Sequence, residues 1–499
     1  MILSLDNKHP IKGSSHERFE FAATSSSHGV CPSACGHVHH VCKTFADTSV
    51  AFASQLRFFV VYKHERAFIM NNPPQFLVLG FFVLTYALLF ALPKWRVHVA
   101  LAAAAILIAT GVMPPMVAWF AIDWNVILLI AGMMGIVGMF ITSKMPELLG
   151  DLIITRVPNI RWAIVILSIF AGIVSAFVDN LATVLIIAPV AFDIAKRQNT
   201  SPVPIIFSIA LASNLQGAAT LVGDTTSILL AAEAKMNFLD FFVYEGHPSL
   251  FWVVQISFLC ASAFLYFYFN KENQRVEATV NAKVSDYLPT YLLLASIVLL
   301  ASVSFIPPDK KPEISNGLVC CFLFAIGLIR DCIKSHGLSP VKKAFSPKEM
   351  DYETLLLLTG LFVIVGALSE TGIIRSISEL FVRVSGDSVF IIYTLIVWCS
   401  VLLSSFMGNI PYVAAMLPVT TTISTLMNIS PTILYFGLLC GATLGGNLNI
   451  FGSPAFISAQ GMLRRENCEF TLKDFTRICY PYTIIAVVSG YVLVWAIYS

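Results

Sequence analysis

The amino-acid sequence predicts an all-α polytopic membrane protein of two inverted-topology repeats, with about ten transmembrane crossings, two re-entrant helical hairpins and two broken helices. The first observation is composition, because 57% of residues are hydrophobic and only 12% are charged, against about 25% charged in soluble domains. The second is the recurrence of apolar runs long enough to cross roughly 30 Å of hydrocarbon. The third is an internal repeat at a spacing of 228–229 residues.

The repeat is clearest in two sixteen-residue stretches that are identical at six positions. "SAFVDNLATVLIIAPV" spans Ser175–Val190 and "SSFMGNIPYVAAMLPV" spans Ser404–Val419. A second pair is "ASNLQGAATLVGDTTSILLAA" and "GATLGGNLNIFGSPAFISA", and a third is "DWNVILLIAGMMGIVG" and "DYETLLLLTGLFVIVG". The first pair places polar residues inside apolar runs, which predicts a hairpin in each half; the second, rich in glycine, predicts a broken helix in each half.

The repeat divides the chain into two halves of the same design. The first half covers residues 75–270 with a hairpin at 162–195, and the second covers 288–499 with a hairpin at 389–427; residues 271–287 form a cytoplasmic linker. The predicted crossings are 75–92, 97–113, 124–142, 203–232, 249–270, 288–306, 314–329, 354–371, 431–462 and 478–497. Because each half has an odd number of crossings, the second half is inserted upside down, which is typical of secondary transporters.

Basic residues in the connections predict the orientation of the chain in a plasma (inner) membrane. Most of them, including Lys94 and Arg96, fall on one side, which the positive-inside rule makes cytoplasmic. Both termini are then outside. Residues 1–74 are polar and lack periodicity, which predicts a disordered tail. A basic tail on the outside conflicts with the rule unless translation starts at Met70, so we expect residues 1–69 to be dispensable.

The polar residues of the hairpin tips and helix breaks are the candidate functional site. Non-helical backbone at membrane depth survives only where it lines a cavity, and there it directs N–H groups and carbonyls at a solute. Carboxylate, amide and hydroxyl oxygens suit Na⁺, which we expect at Asp179, Asn180 and Asp224. The candidate ion-binding residues are Asp179, Asn180, Thr183, Ser213, Asn214, Gly217, Thr220, Gly223, Asp224, Thr225, Asn409, Gly446, Asn447, Asn449 and Ser453.

The two halves differ in charge at these positions. Asp179 pairs with Gly408 in the repeat, and Asp224 pairs with Ser453, so both acids belong to the first half. Two carboxylates near one solute repel an anion unless they hold Na⁺ or protons. This favours a cation, a proton-linked exchange or a neutral solute. The formal net charge of +2 does not suggest a nucleic-acid partner.

The paired motifs resemble the ion transporter superfamily (citrate transporter-like domain), in the branch of NhaD-type sodium/proton antiporters, ArsB-type arsenite permeases and P-protein permeases. The resemblance implies a scaffold domain, a mobile transport domain with an elevator-like movement, and often a homodimer. In related divalent-anion/sodium symporters the hairpin tips read Ser-Asn-Thr and hold substrate and Na⁺. Here the tips read Asp179-Asn180-Leu181 and Gly408-Asn409-Ile410.

The sequence therefore predicts a secondary active transporter of a small inorganic or organic ion, coupled to Na⁺ or H⁺, with no other cofactor. Within that class cation/proton exchange ranks first, followed by citrate, dicarboxylate or another anion, and then arsenite-like solutes. An ion channel is a competing class. So is an intramembrane aspartyl protease, although "LVGDTT" lacks the Gly-x-Gly-Asp turn of that class. We expect no enzyme activity, and no phosphate-binding loop for a primary pump is present.

Overall fold

The computed structural model describes residues 75–272, 274, 283–307, 311–347, 349–386, 388–450 and 452–499. Within these ranges the first half forms α1 (Gln75–Ala91), α2 (Arg96–Ala109), α3 (Pro115–Ala121), α4 (Trp124–Thr142), α5 (Met145–Ile154), α6 (Ile160–Ser175), α7 (Asn180–Arg197), α8 (Val203–Gln216), α9 (Thr225–Glu233) and α10 (Leu250–Tyr268). The second half forms α11 (Leu288–Val303), α12 (Ser315–Ser335), α13 (Ser339–Ala344), α14 (Tyr352–Glu370), α15 (Ile373–Ser385), α16 (Val389–Met407), α17 (Asn409–Met427), α18 (Thr432–Gly445), α19 (Pro454–Arg465) and α20 (Leu472–Tyr498).

Four short 3₁₀ turns and one small hairpin complete the described structure. The turns are Pro93–Trp95, Gly217–Ala219, Leu239–Phe241 and Gly446–Leu448. The hairpin pairs β1 (Val243–Tyr244) with β2 (His247–Pro248) in antiparallel register. Ten helices of the first half are thus followed by ten of the second half in the same order, which agrees with the repeat in the sequence.

The helices are those of a membrane protein. Seven of the described helices are long and apolar enough to cross a bilayer, namely α4, α10, α12, α14, α16, α17 and α20. α6, α8, α11 and α18 are shorter apolar helices, and α1 and α2 form an apolar pair bent by 110°. Large apolar side chains such as Phe267, Val298 and Phe322 face outward, which suits contact with lipid. The chain is an all-α polytopic membrane protein.

The two halves pack against each other in a reciprocal way. α4 of the first half packs on α12 of the second, and α14 of the second packs on α2 of the first. The same exchange relates α7 with α19 and α17 with α9. Glycines make the closest of these contacts possible, since a Cβ on Gly132 would lie 2.6 Å from the backbone of Cys320. On the other side, a Cβ on Gly360 would lie 2.9 Å from the backbone of Ala100.

Each predicted interruption is present, and each has a local cause. α6 and α7 form hairpin 1, whose tip is Ala176–Asp179; the Asp179 side chain caps α7 by accepting from the N–H groups of Leu181 (3.1 Å) and Ala182 (3.3 Å). α16 and α17 form hairpin 2, whose tip is Gly408 with a φ of 86°, a conformation that glycine adopts without strain. Break 1 (Gly217–Asp224) separates α8 from α9, and break 2 (Gly446–Ser453) separates α18 from α19.

Four short helices lie between the predicted crossings and were not expected from the sequence. They are α3, α5, α13 and α15. In α15 the buried Ile374 and Ser378 lie on one face, while Arg375 and Glu379 form an exposed ion pair at 3.1 Å. α5, α13 and α15 mix polar and apolar residues over too few turns to register as apolar runs, whereas α3 is apolar but only 7 residues long. The predicted tail at 1–74 and most of the predicted linker at 271–287 lie outside the described residues.

We expect Gly132→Ala to destabilise the protein, because the added methyl group would meet the Cys320 backbone rather than a side chain that can rotate. Overpacking of this kind costs roughly 1–3 kcal/mol, which a lower Tm of the detergent-solubilised protein would report. Gly461→Ala is the matched control, since nothing lies within 4 Å of its added Cβ. Equal Tm values for the two variants would contradict the tight contact between α4 and α12.

Candidate functional site

The two hairpin tips and the two breaks meet at one buried cluster of polar side chains. Asn180 begins the second arm of hairpin 1 and Asn409 begins the second arm of hairpin 2. The Nδ2 group of Asn180 donates to Oδ1 of Asn214 at 3.1 Å, and Nδ2 of Asn409 reaches the same oxygen at 3.5 Å. The two tips, which belong to the two inverted halves, therefore lie together.

Asn214 is the centre of this cluster, because every polar atom of its side chain is used. Its Oδ1 also accepts from Oγ of Ser453 at 2.8 Å. Its Nδ2 donates to the backbone carbonyl of Thr443 at 2.6 Å and to Oδ1 of Asn447 at 2.9 Å. An amide side chain has two donors and two acceptor lone pairs, so none remains for a solute. Asn214 was predicted to bind an ion; its geometry suits a structural connection between the two halves.

The position of Asn214 follows from the repeat. At the spacing of 229 residues its counterpart is Thr443, and the two residues are in direct contact. The pseudo-twofold axis therefore passes between α8 and α18 just before their breaks. A side chain on such an axis can reach both hairpins, which explains how one residue binds both tips.

Three polar atoms of the cluster, buried in the described structure, have no hydrogen-bond partner. They are Oδ1 of Asn180, Oδ1 of Asn409 and Nδ2 of Asn447. Buried polar groups are nearly always paired, so these three atoms are free to bind a solute or an ion. The two tip oxygens are related by the repeat, and both can accept a hydrogen bond or bind a cation.

Hydroxyl groups of the predicted site fasten hairpin 1 to α8 and break 1. Oγ of Ser213 donates to the carbonyl of Asn180 at 2.9 Å, and Oγ of Ser175 donates to the carbonyl of Ser213 at 2.8 Å. The second half repeats the latter bond, with Ser404 donating to the carbonyl of Ala442 at 2.7 Å. Thr220 donates to the carbonyl of Ala176. These hydroxyl groups donate to backbone carbonyls, so in this structure they stabilise the hairpin tips.

The glycines of the breaks allow the backbone to approach the tips. A Cβ on Gly223 would lie 2.9 Å from the carbonyl oxygen of Ser175. A Cβ on its counterpart Gly452 would lie 2.7 Å from the carbonyl oxygen of Ser405. A side chain on Gly446 would collide with Oδ1 of Asn409, and one on Gly217 would lie 2.9 Å from Cβ of Asp224. Close approach of the breaks to their neighbours therefore requires glycine at these positions.

The remaining predicted residues lie on the sides of the cluster. Thr183 donates weakly to the carbonyl of Val178 at 3.4 Å, and the carbonyl of Asn449 accepts from the N–H of Gly452 at 3.0 Å. Asp224 begins α9 and accepts from Oγ1 of Thr226 at 2.7 Å. Its counterpart Ser453 instead donates to Asn214. The charge difference between the halves that the sequence predicted is thus present in the site.

A cavity of about 130 Å³ adjoins the tip of hairpin 1. Asp179, Asp224 and Thr225 line it together with apolar residues of α4. Two further carboxylates, Glu349 and Asp351, line the same cavity and were not predicted. The only signal for Asp351 in the sequence was its place at the start of the third repeat motif, where it caps α14 by accepting from the N–H of Thr354 at 3.0 Å.

Arg96 is a second functional candidate that the sequence missed. The charge pattern assigned it to a connecting loop between two crossings. It is instead the first residue of α2, and its Nη2 group donates to the carbonyl of Phe406 at 3.5 Å, next to the tip of hairpin 2. No residue near it in the sequence indicates this contact, since the partners are 310 residues apart.

We expect Asn214→Ala to destabilise the protein by roughly 2–4 kcal/mol, because it leaves several buried donors and acceptors unpaired at once. Thr183→Val is the control, since it changes a buried side chain on the adjacent helix that makes one weak bond. Thermal unfolding in detergent would compare the two. A loss for Asn214→Ala no larger than that of the control would show that Asn214 does not hold the cluster together.

Several curated relatives and solved structures align with most of the chain. The transporter Rv2685 of Mycobacterium tuberculosis, named as uncharacterised, is 29% identical over 426 residues, which cover 84% of this chain and 97% of the relative. The human P protein is 24% identical over 469 residues, covering 78% of this chain and 56% of the P protein. The YdaH transporter of Alcanivorax borkumensis has a similar fold, with a TM-score of 0.52 at 15% identity over 74% of this chain and 84% of YdaH.

The family comparison agrees with these relatives and with the motifs at the two tips. Residues 86–441, which include both hairpins and α8, match the family described as citrate transporter (CitMHS). This match covers more than half of the chain and confirms the resemblance to the ion transporter superfamily. The chain is a membrane transporter and belongs to the citrate transporter family.

Proposed function

We propose that the protein is a secondary active transporter of a small ion, coupled to Na⁺ or H⁺, that works by alternating access. Cation/proton exchange is the form of transport that the site supports best. The observation that carries this proposal is the cavity that Asp179 and Asp224 line together. Two carboxylates at membrane depth need cations or protons to offset their charge. A site that binds a cation in one step and a proton in the next is what a cation/proton exchanger requires.

The oxygen atoms around the first tip suit Na⁺. Asp179 uses one carboxylate oxygen, Oδ2, to cap α7, and Asp224 uses Oδ2 to accept from Thr226. Their Oδ1 atoms and the unpaired Oδ1 of Asn180 are hard oxygen ligands of the kind that alkali and alkaline-earth cations prefer. We therefore propose Na⁺ binding at Asp179, Asn180 and Asp224, with H⁺ on either carboxylate as the alternative load.

A route leads from this cavity towards the connections between helices. A second cavity of about 260 Å³ adjoins the first, since Met134, Gly138 and Glu349 line both. Asp286 lines the second cavity, and the hydrogen bond from Arg330 lowers the pKa of its carboxyl group. That carboxylate is already paired with Arg330 and Lys334, so the route is supported by the lining that the two cavities share. We propose that the route opens to the cytoplasm, as the basic connections predict, and that this conformation faces inward.

The alternative is an anion permease for citrate, a dicarboxylate or an arsenite-type solute. The name of the family favours an organic anion. An anion could bind beside Asp179 and Asp224 only if both carried a cation or a proton, so this alternative also requires coupling. Uptake by proteoliposomes under imposed Na⁺ or pH gradients, across a panel of cations, carboxylates and arsenite, separates the two. A plasma-membrane location, external termini and a homodimer are further parts of the proposal.

We expect Asp179→Asn to abolish gradient-driven transport while the folded protein remains in the membrane. The amide keeps the size of the side chain but removes the charge that the coupling cation or proton offsets. Asp193→Asn is the matched control, because Asp193 lies on the same helix but pairs at the surface with Arg197 at 2.8 Å. Normal coupling in Asp179→Asn would remove this residue from the mechanism.

We expect Asn180→Ala to raise the Na⁺ concentration for half-maximal transport by about tenfold, the equivalent of about 1.4 kcal/mol. Asn447→Ala is matched, since each variant loses one hydrogen bond to Asn214 and one unpaired buried atom. The atom lost from Asn447 is a donor, which does not bind a cation. Equal shifts in the two variants would indicate loss of packing rather than loss of a ligand.

A further inference from the structure

Arg96 is a cationic side chain at the tip of hairpin 2. Its Nε group donates to the carbonyl of Leu89 at 3.2 Å, and Nη2 donates to the carbonyl of Phe406 at 3.5 Å. Nη1 lies 2.9 Å from the point where a Cβ of Gly408 would be. Among the described residues the ion pairs involve other basic side chains. The half-buried guanidinium is therefore turned towards backbone carbonyls rather than a carboxylate.

The packing of the two halves explains why an arginine of the first half reaches a hairpin of the second. Gly360 of α14 contacts Ala100 of α2, and the equivalent Gly132 of α4 contacts Cys320 of α12. Ala100 thus corresponds to Cys320, and Arg96, four residues earlier, corresponds to Asn316. The counterpart of Arg96 in the second half is therefore the neutral Asn316.

The charges at the two tips are therefore opposite. Hairpin 1 has Asp179 and Asp224, and the position equivalent to Arg96 is the neutral Asn316. Hairpin 2 has Gly408 and Ser453 at the acidic positions and Arg96 beside them. Three substitutions between equivalent positions all change the charge of the second tip in the positive direction. A single lost or gained charge would not produce this pattern.

The second tip has groups that a positive charge stabilises. Phe406 is in the last turn of α16 (Val389–Met407), where the helix presents unpaired carbonyls and the negative end of its dipole. The oxygen Oδ1 of Asn409 is buried and unpaired at the same tip. At hairpin 1 the equivalent oxygen, Oδ1 of Asn180, lies beside acids that attract a mobile cation.

We propose that Arg96 is a built-in cation for hairpin 2, so that only the tip of hairpin 1 takes a mobile coupling cation. The inference rests on the proposed function at hairpin 1, but it concerns different residues. Arg96 acts through the tip of hairpin 2 and is a positioning residue. Its removal should leave the carbonyl end of α16 without a counter-charge and make hairpin 2 dependent on cations in solution.

Hydrogen–deuterium exchange of the full-length protein in lipid nanodiscs tests this directly, with NaCl compared against N-methyl-D-glucamine chloride. In the unmodified protein, peptides that cover 404–412 should exchange equally in both salts. In Arg96→Ala the same peptides should exchange about fivefold faster without Na⁺, and Na⁺ should slow them again. Arg96→Lys should remain close to the unmodified protein. Lys94→Ala removes an exposed positive charge two residues away and should change nothing.

Three results would overturn the inference. One is Na⁺-dependent exchange at 404–412 in the unmodified protein, which requires no variant and holds even if Arg96→Ala does not fold. The others are unchanged exchange in Arg96→Ala, or faster exchange that Na⁺ does not slow. Peptides that cover 175–185 report separately on the proposed function: if neither Na⁺ nor a pH gradient affects hairpin 1 or transport, the proposed function fails, whatever hairpin 2 does.

Discussion

The hydrogen bonds of Asn214 connect the interrupted segments that distinguish this fold from a bundle of continuous membrane helices. Four segments, the two hairpin tips and the two breaks, leave the helical conformation near the centre of the fold. Each exposes backbone or side-chain polar groups that lipid does not solvate. One amide side chain on the pseudo-twofold axis joins Asn180 and Asn409 of the tips with Asn447 and Ser453 of the second break. An unpaired polar group in hydrocarbon costs several kcal/mol, so these shared partners stabilise the interruptions, together with the hydroxyl groups that bind the tips. The candidate site therefore lies at the interruptions of the helices, where Asn214 pairs polar groups that lipid would leave unpaired.

Sequence reasoning recovered the parts of the structure that depend on local patterns. Apolar runs indicated most of the helices, and the boundaries of α4 and of both hairpins agree with prediction to within a few residues. The repeat located both tips and both breaks, because polar residues and glycines recur inside apolar runs mainly where a membrane helix is interrupted. The four short helices were missed, because three of them are a few amphipathic turns that resemble a polar connection and α3 is an apolar run too short to cross a membrane. α1 and α2 were predicted as two crossings and form a pair bent by 110°.

The partners of the site could not be found in this way. Asn214 was recognised as polar and buried, yet only coordinates reveal that its hydrogen-bonding capacity is filled within the protein. Glu349 and Asp351 follow a polar connection and look like ordinary helix-capping acids. Arg96 donates to the carbonyl of Phe406, which is 310 residues away in the sequence. The count of basic residues in the connections had assigned Arg96 to a loop. Contacts of this kind depend on how the halves dock, which no pattern within one half records.

The reciprocal packing of the halves also constrains how the protein is made. The glycine face of α4 is completed by α12, whose Cys320 is synthesised nearly two hundred residues after Gly132. At about 5–20 residues per second, that delay is roughly 10–40 s. During this time the first half lies in the bilayer without α12, the closest helix partner of α4. Break 2, whose Asn447 and Ser453 bind Asn214, is also missing. Lipid, the insertion machinery or a chaperone must cover that face until the second half arrives.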